Sequence, residues 1–120
     1  VKLHILFPLV LAGCSLTAQD RAVLSANTTR DVASVEHDAI ESFCIPRYEA
    51  AQSVKEVDAA DKLCLPARAS YLAVKLSWGV MVYVLQAEKA GTATEAQVED
   101  AARQLGDSFS VLKEAMGDIK

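Results

Sequence analysis

Three trains of apolar positions recur along the chain at helical spacing. Val32, Val35, Ala39 and Phe43 fall on one stripe at intervals of three and four, which predicts a first helix. It starts near Gln19 or near Thr29, since Asn27, Thr28 and Thr29 offer capping side chains. Its end is expected near Cys44, because Pro46 disfavours helical geometry in Ile45. The most apolar segment is 67–89, where Ala67, Tyr71, Val74, Trp78, Met81 and Leu85 keep strict four-three spacing. Leu72, Leu76, Val80, Tyr83 and Val84 make its other faces apolar too, which predicts a central helix covered on several sides. Lys75 and an unbroken apolar run of only eight residues, Trp78 to Leu85, argue against a membrane span there.

The last helix carries its own start signal. Thr94 and Gln97 form a capping box, and Val98, Ala102, Leu105, Phe109, Leu112, Met116 and Ile119 then repeat at four-three spacing, as in the narrow seam of a bundle. Gly91 and Thr92 mark the turn before it, and so short a connection makes the last two helices antiparallel neighbours. Two rows of small residues, Ala69, Ala73, Ser77 and Ala102, Gly106, Ser110, are expected to let helices approach closely.

Residues 1–13 follow a different plan: one charge at Lys2, an apolar stretch from Leu3 to Leu11 broken only by His4, and small residues at Ala12 and Gly13. This is the layout of a signal peptide, and about ten apolar residues containing Pro8 fall short of the roughly twenty that cross a bilayer. The tetrapeptide Leu11-Ala12-Gly13-Cys14 resembles the lipobox of bacterial lipoproteins, in which the cysteine is diacylglycerylated before signal peptidase II cuts ahead of it. The resemblance covers these fourteen residues and implies lipidation of the nucleophilic thiol of Cys14. With a further acyl chain added in maturation, the anchor would be effectively permanent. Under the sorting rule of enterobacterial lipoproteins, Ser15 in place of Asp implies the periplasmic face of the outer membrane. The chain then divides into a leader (1–13), a lipidated cysteine with a short tether or helix start (14–28) and a helical domain (29–120).

Composition narrows the partners. In 120 residues there is room for one domain, and 52% hydrophobic residues with five Gly and three Pro suit helices. From Cys14 onward 11 basic residues stand against 16 acidic ones, which argues against nucleic acid. The lack of a polybasic cluster leaves membrane attachment to the lipid anchor.

With Cys14 lipidated, as the resemblance implies, Cys44 and Cys64 remain, and export to an oxidising compartment favours pairing them. One straight helix over 46–63 would hold their Cα atoms about 30 Å apart, whereas a disulfide needs roughly 4.4–6.8 Å. The stretch is therefore expected to fold back, with one short helix around Glu49 to Val57, closing a loop worth about 3 kcal/mol. The competing picture is four shorter helices with both thiols reduced or paired between chains. Phe43-Cys44-Ile45-Pro46 is echoed by Leu63-Cys64-Leu65-Pro66, which reads as two similar helix boundaries.

Little chemistry is legible. His37, the sole histidine after the leader, lies among Glu36, Asp38 and Glu41, a pattern better suited to a solvated helix face than to a metal site. Ser110 with Lys113 matches S-x-x-K, and Tyr71 with Lys75 matches Tyr-x-x-x-Lys, but neither has its companion motifs. No catalytic residue, cofactor or metal ligand is assigned. Trp78 beside Gly79 is the one candidate for a small-molecule pocket. The expectation is an all-α, up-and-down bundle of three long helices plus a short disulfide-closed excursion. It would serve as a non-enzymatic envelope lipoprotein that binds another envelope protein or supports an assembly. A hydrophobic-ligand module is the alternative, and small exclusion lipoproteins of phages and plasmids are similar in layout.

Overall fold

The computed structural model describes residues 18–119, which form three helices: α1 (Ala18–Ala50), α2 (Val54–Lys89) and α3 (Glu95–Ile119). They run up, down and up, and each packs against both others, so the fold is the all-α bundle of three long helices that the apolar spacing predicts. Leu11, Ala12, Gly13 and Cys14 lie outside the described residues. Of the two possible starts for α1, the one near Gln19 is found, and Asn27, Thr28 and Thr29 lie inside the helix.

The core is a seam in which α2 and α3 keep the expected phase. Ala60, Cys64, Ala67, Val74, Met81 and Leu85 are buried on α2, with Tyr71 and Trp78 partly buried between them. On α3 the buried set is Val98, Ala101, Leu105, Leu112 and Met116, flanked by Ala102, Phe109 and Ile119. Each large side chain so buried contributes about 1.5–3 kcal/mol by leaving water.

α1 departs from its expected phase. Its buried residues are Ala26, Ala33, Ile40 and Cys44, while Val32 is exposed and Val35 is 66% exposed. Ala39 and Phe43 sit at the rim of the core. The cause is the bond between Cys44 and Cys64, whose Cα atoms are 5.9 Å apart. It turns α1 so that the positions four, eleven and eighteen residues before Cys44 point inward, and two of those are alanines that admit a close approach. The small-residue rows expected to serve that purpose do so only in part: Ala69, Ala73, Gly106 and Ser110 are exposed, whereas Ala102 packs against the core and Ser77 reaches across, its Oγ lying 2.8 Å from Ser108 Oγ on α3.

Both prolines after the cysteines lie within helices. α1 continues past Pro46 to Ala50, and α2 begins at Val54 and passes through Pro66. Each proline removes one backbone hydrogen bond, and both are exposed, as are Ser42 and Lys62, four residues earlier, whose carbonyls water can serve. The stretch between the cysteines therefore folds back not through a separate short helix but through the last turn of α1, a turn at 51–53 and the first turns of α2. The echoed tetrapeptides mark facing segments across the disulfide rather than two helix ends.

Side-chain chemistry fixes the turns. Ser53 caps α2, its Oγ accepting from the Glu56 amide at 3.2 Å while Glu56 Oε2 accepts from the Gln52 amide at 2.7 Å. Gly91, at φ +80°, ends α2: its amide donates to the Glu88 carbonyl at 2.9 Å and that of Thr92 to the Ala87 carbonyl at 2.8 Å, the paired bonds of a Schellman motif. The capping box is formed as expected, with Gln97 N donating to Thr94 Oγ1 at 3.2 Å and Thr94 N to Gln97 Oε1 at 2.7 Å.

α3 is shorter than its neighbours, with 25 residues against 33 and 36. Since Ser77 faces Ser108, the end of α3 at Ile119 comes level with about Pro66. Beyond that level the described residues form a two-helix tip, and the disulfide lies at the junction.

Replacing both Cys44 and Cys64 by alanine is expected to lower unfolding free energy by about 3 kcal/mol in urea titrations. Ile40→Ala should cost about 2–5 kcal/mol and Val35→Ala no more than about 0.5. The reverse order would show that α1 has the phase its valines suggest.

Candidate functional site

Around the disulfide, α1 and α2 are joined by side chains in one register. His37 stacks on Tyr71, ring centroids 4.3 Å apart. One turn on, Arg68 Nε and Nη2 each donate to a Glu41 carboxylate oxygen at 2.9 Å, the two-pronged geometry in which an arginine–carboxylate pair is strongest. Cys44 bonds Cys64 next, and beyond it the Tyr48 hydroxyl donates to Asp61 Oδ1 at 2.5 Å. The Arg68 guanidinium also lies over the Tyr48 ring, 5.2 Å from its centre. The hydrogen bonds from Arg68 hold the Glu41 carboxyl below its ordinary pKa despite the opposing effect of partial burial. The bond to Asp61 pushes the Tyr48 phenol up. These groups satisfy one another and clamp two helices; they do not converge on a shared cavity.

On the α3 side of the tip, Phe43, Pro46, Arg47, Ala59 and Leu63 line an open groove of about 690 Å³, with the Arg47 guanidinium 3.8 Å from the centre of the Phe43 ring. A second groove, about 620 Å³, runs between α2 and α3 beside Val80, Val84, Gln97 and Arg103. Neither borders the residues singled out for a ligand pocket. Trp78 packs toward α1, its ring N–H donating to the Ala26 carbonyl at 3.2 Å. Gly79 faces solvent with nothing within 4 Å of where a Cβ would stand. The two adjacent residues are thus turned to different surroundings and form no common cleft. Among the described residues, no group of three or more His, Cys, Asp or Glu side chains is placed to hold a metal ion. Ser110 donates to the Gly106 carbonyl at 3.1 Å, Lys113 lies over the Phe109 ring, and Tyr71 is engaged by His37, so the two short catalytic-looking motifs gather no further chemistry.

The most exposed apolar surface belongs to α2. Leu65, Leu72, Leu76, Val80 and Tyr83 are all exposed, Leu76 to 73% and Tyr83 to 71%, with Ala69, Ala73 and Gly79 exposed among them. At 100° per residue they lie opposite the Val74–Met81 seam and make a second stripe about 27 Å long. The expected covering of this helix on several sides is therefore corrected. α1 and α3 both pack on the inner side of α2, and among the described residues no third neighbour reaches its outer side. The apolar pattern picks out Leu72, Leu76, Val80 and Tyr83 but places them in the interior. Contiguous apolar patches of this kind mark interaction surfaces more often than lone exposed leucines do.

The Glu41–Arg68 pair makes stability depend on acid. Because the folded-state pKa of Glu41 lies below its ordinary 4.5, the contribution is present above that value and is lost as pH falls through the depressed one. The stability gap between the protein and its Glu41→Gln variant should therefore be widest near neutrality and close below pH 4.5 in thermal melts. A gap independent of pH would show that the pair is not the source. Comparison with protein-family models, curated proteins and solved structures finds no match to this chain.

Proposed function

We propose that the chain is a lipid-anchored protein of a bacterial envelope, held through Cys14 at the periplasmic face of the outer membrane, which acts by binding protein rather than by catalysis. The observation that carries the binding role is the uncovered apolar stripe on the outer side of α2. Anchoring is supported by the lipobox-like Leu11-Ala12-Gly13-Cys14. Four residues reach at most about 14 Å, so an anchor at Cys14 keeps the amino end of α1 and the neighbouring turn at 90–94 close to the bilayer. The disulfide tip then lies at the other end of the bundle, and the α2 stripe runs between the two. No helix among the described residues is long and apolar enough to cross a membrane, so the lipid is the attachment that this reading invokes. A role in binding a small hydrophobic ligand has no comparable support, because Trp78 is spent on α1.

Mass spectrometry of the native amino terminus is expected to find an acylated Cys14 as the first residue, and Cys14→Ser should move the protein from membrane to soluble fractions. A photo-crosslinking residue at Leu76 should give protein adducts in intact membranes, while one at Glu114, exposed on α3, should not. An unmodified Cys14 or a retained leader would remove the anchor, and a silent Leu76 would remove the docking role.

A further inference from the structure

We infer that the occupant of the outer α2 face is a second copy of this chain, packed α2 against α2 in antiparallel fashion about a two-fold axis level with Val74. This rests on the reading of that face as an interaction surface and names what covers it. The seam positions are Leu65, Ala69, Leu72, Leu76, Gly79 and Tyr83, and their spacings of four, three, four, three and four read the same in both directions. A two-fold contact is made by the same patch on both partners, so each position must suit the one it meets after the turn. Here Leu65 meets Tyr83, Ala69 meets Gly79, and Leu72 meets Leu76. Large residues face large ones and small residues face small ones along the whole stripe.

The two small pairs give the glycine a purpose. With a partner backbone close at hand, the empty space around Gly79 becomes the place where two helices touch. Complete burial of the exposed parts of Leu65, Leu72, Leu76, Val80 and Tyr83 would cover at most about 1,100 Å² over two chains, the size of a weak, reversible pairing. Charge at the amino end of the stripe favours this direction, against the approach of Lys75 to its own copy beside the axis. The same line continues back through Lys62 and Asp58, which a parallel pairing would set against their own copies, like against like. The antiparallel register places Lys62 opposite Gln86 and Asp58 beyond the end of the partner's α2.

The test is the mass of the Cys14→Ser chain in sedimentation equilibrium at micromolar concentration, with variants on the seam. The parent is expected to sediment as a dimer. Leu72→Glu with Leu76→Glu, and separately Gly79→Trp, should sediment as one chain with unchanged helical circular dichroism. A Cβ at Gly79 meets nothing within 4 Å among the described residues, and the unchanged circular dichroism is the check that the larger ring leaves the fold intact. Mixing Leu65→Cys and Tyr83→Cys chains under oxidation should give the mixed crosslink, whereas crosslinks within each pure variant would overturn the antiparallel register. A parent that sediments as one chain while Leu76 crosslinks a different envelope protein would overturn self-association and leave the docking surface standing. A monomer whose Leu76 crosslinks nothing would overturn both.

Discussion

The covalent bond between Cys44 and Cys64 is the constraint from which the rest of the arrangement follows. It sets which residue of α1 stands opposite which residue of α2, and the Glu41–Arg68, His37–Tyr71 and Tyr48–Asp61 contacts all fall in the register it imposes. It also decides which face of α1 turns inward, so that alanines and Ile40 enter the core and valines stay outside. Its position matters as much as its presence. α3 reaches only to about the level of Pro66, so the bond sits where a third helix stops supplying apolar cover. A two-helix tip buries too little surface to hold itself, and loop closure supplies what packing there does not.

How much of this was legible varied with how locally each element is specified. α3 could be read almost whole, because Thr94 and Gln97 mark its start and a single apolar stripe marks its buried face. The apolar spacing gives α2 its right phase but places its start thirteen residues late, at Ala67 instead of Val54, because Pro66 reads as a boundary. An exposed proline whose lost hydrogen bond water replaces does not end a helix that tertiary contacts hold on both sides. The true start has its signal in Ser53 and Glu56, a serine with a glutamate three residues on. In α1 the stripe of valines misled, because alanine contributes little to a hydrophobic pattern yet is the residue that allows helices to come together.

The candidate surface was half legible. Composition shows that α2 is apolar on opposite sides, but a pattern along one helix does not say how many neighbours there are to cover them. With α1 and α3 both on the inner side, one face remains for something outside the described residues. That face belongs to a chain with net negative charge, which keeps single molecules apart unless apolar contact outweighs the repulsion. Glu41, Arg68, Tyr48 and Asp61, by contrast, are spent on holding α1 to α2 and are not free to gather into a catalytic site.

The placement of the two prolines gives the tip a distinct mechanical character. One missing rung in each backbone ladder, close to the sulfur bridge on both strands of the hairpin, makes this the segment whose helices depend least on their own hydrogen bonds and most on the crosslink. A thiol reductant would therefore act on the molecule unevenly. The portion backed by α3 would keep its packing, while the outermost turns would fray first, so that the length of rigid rod the protein presents would be set by the redox potential around it.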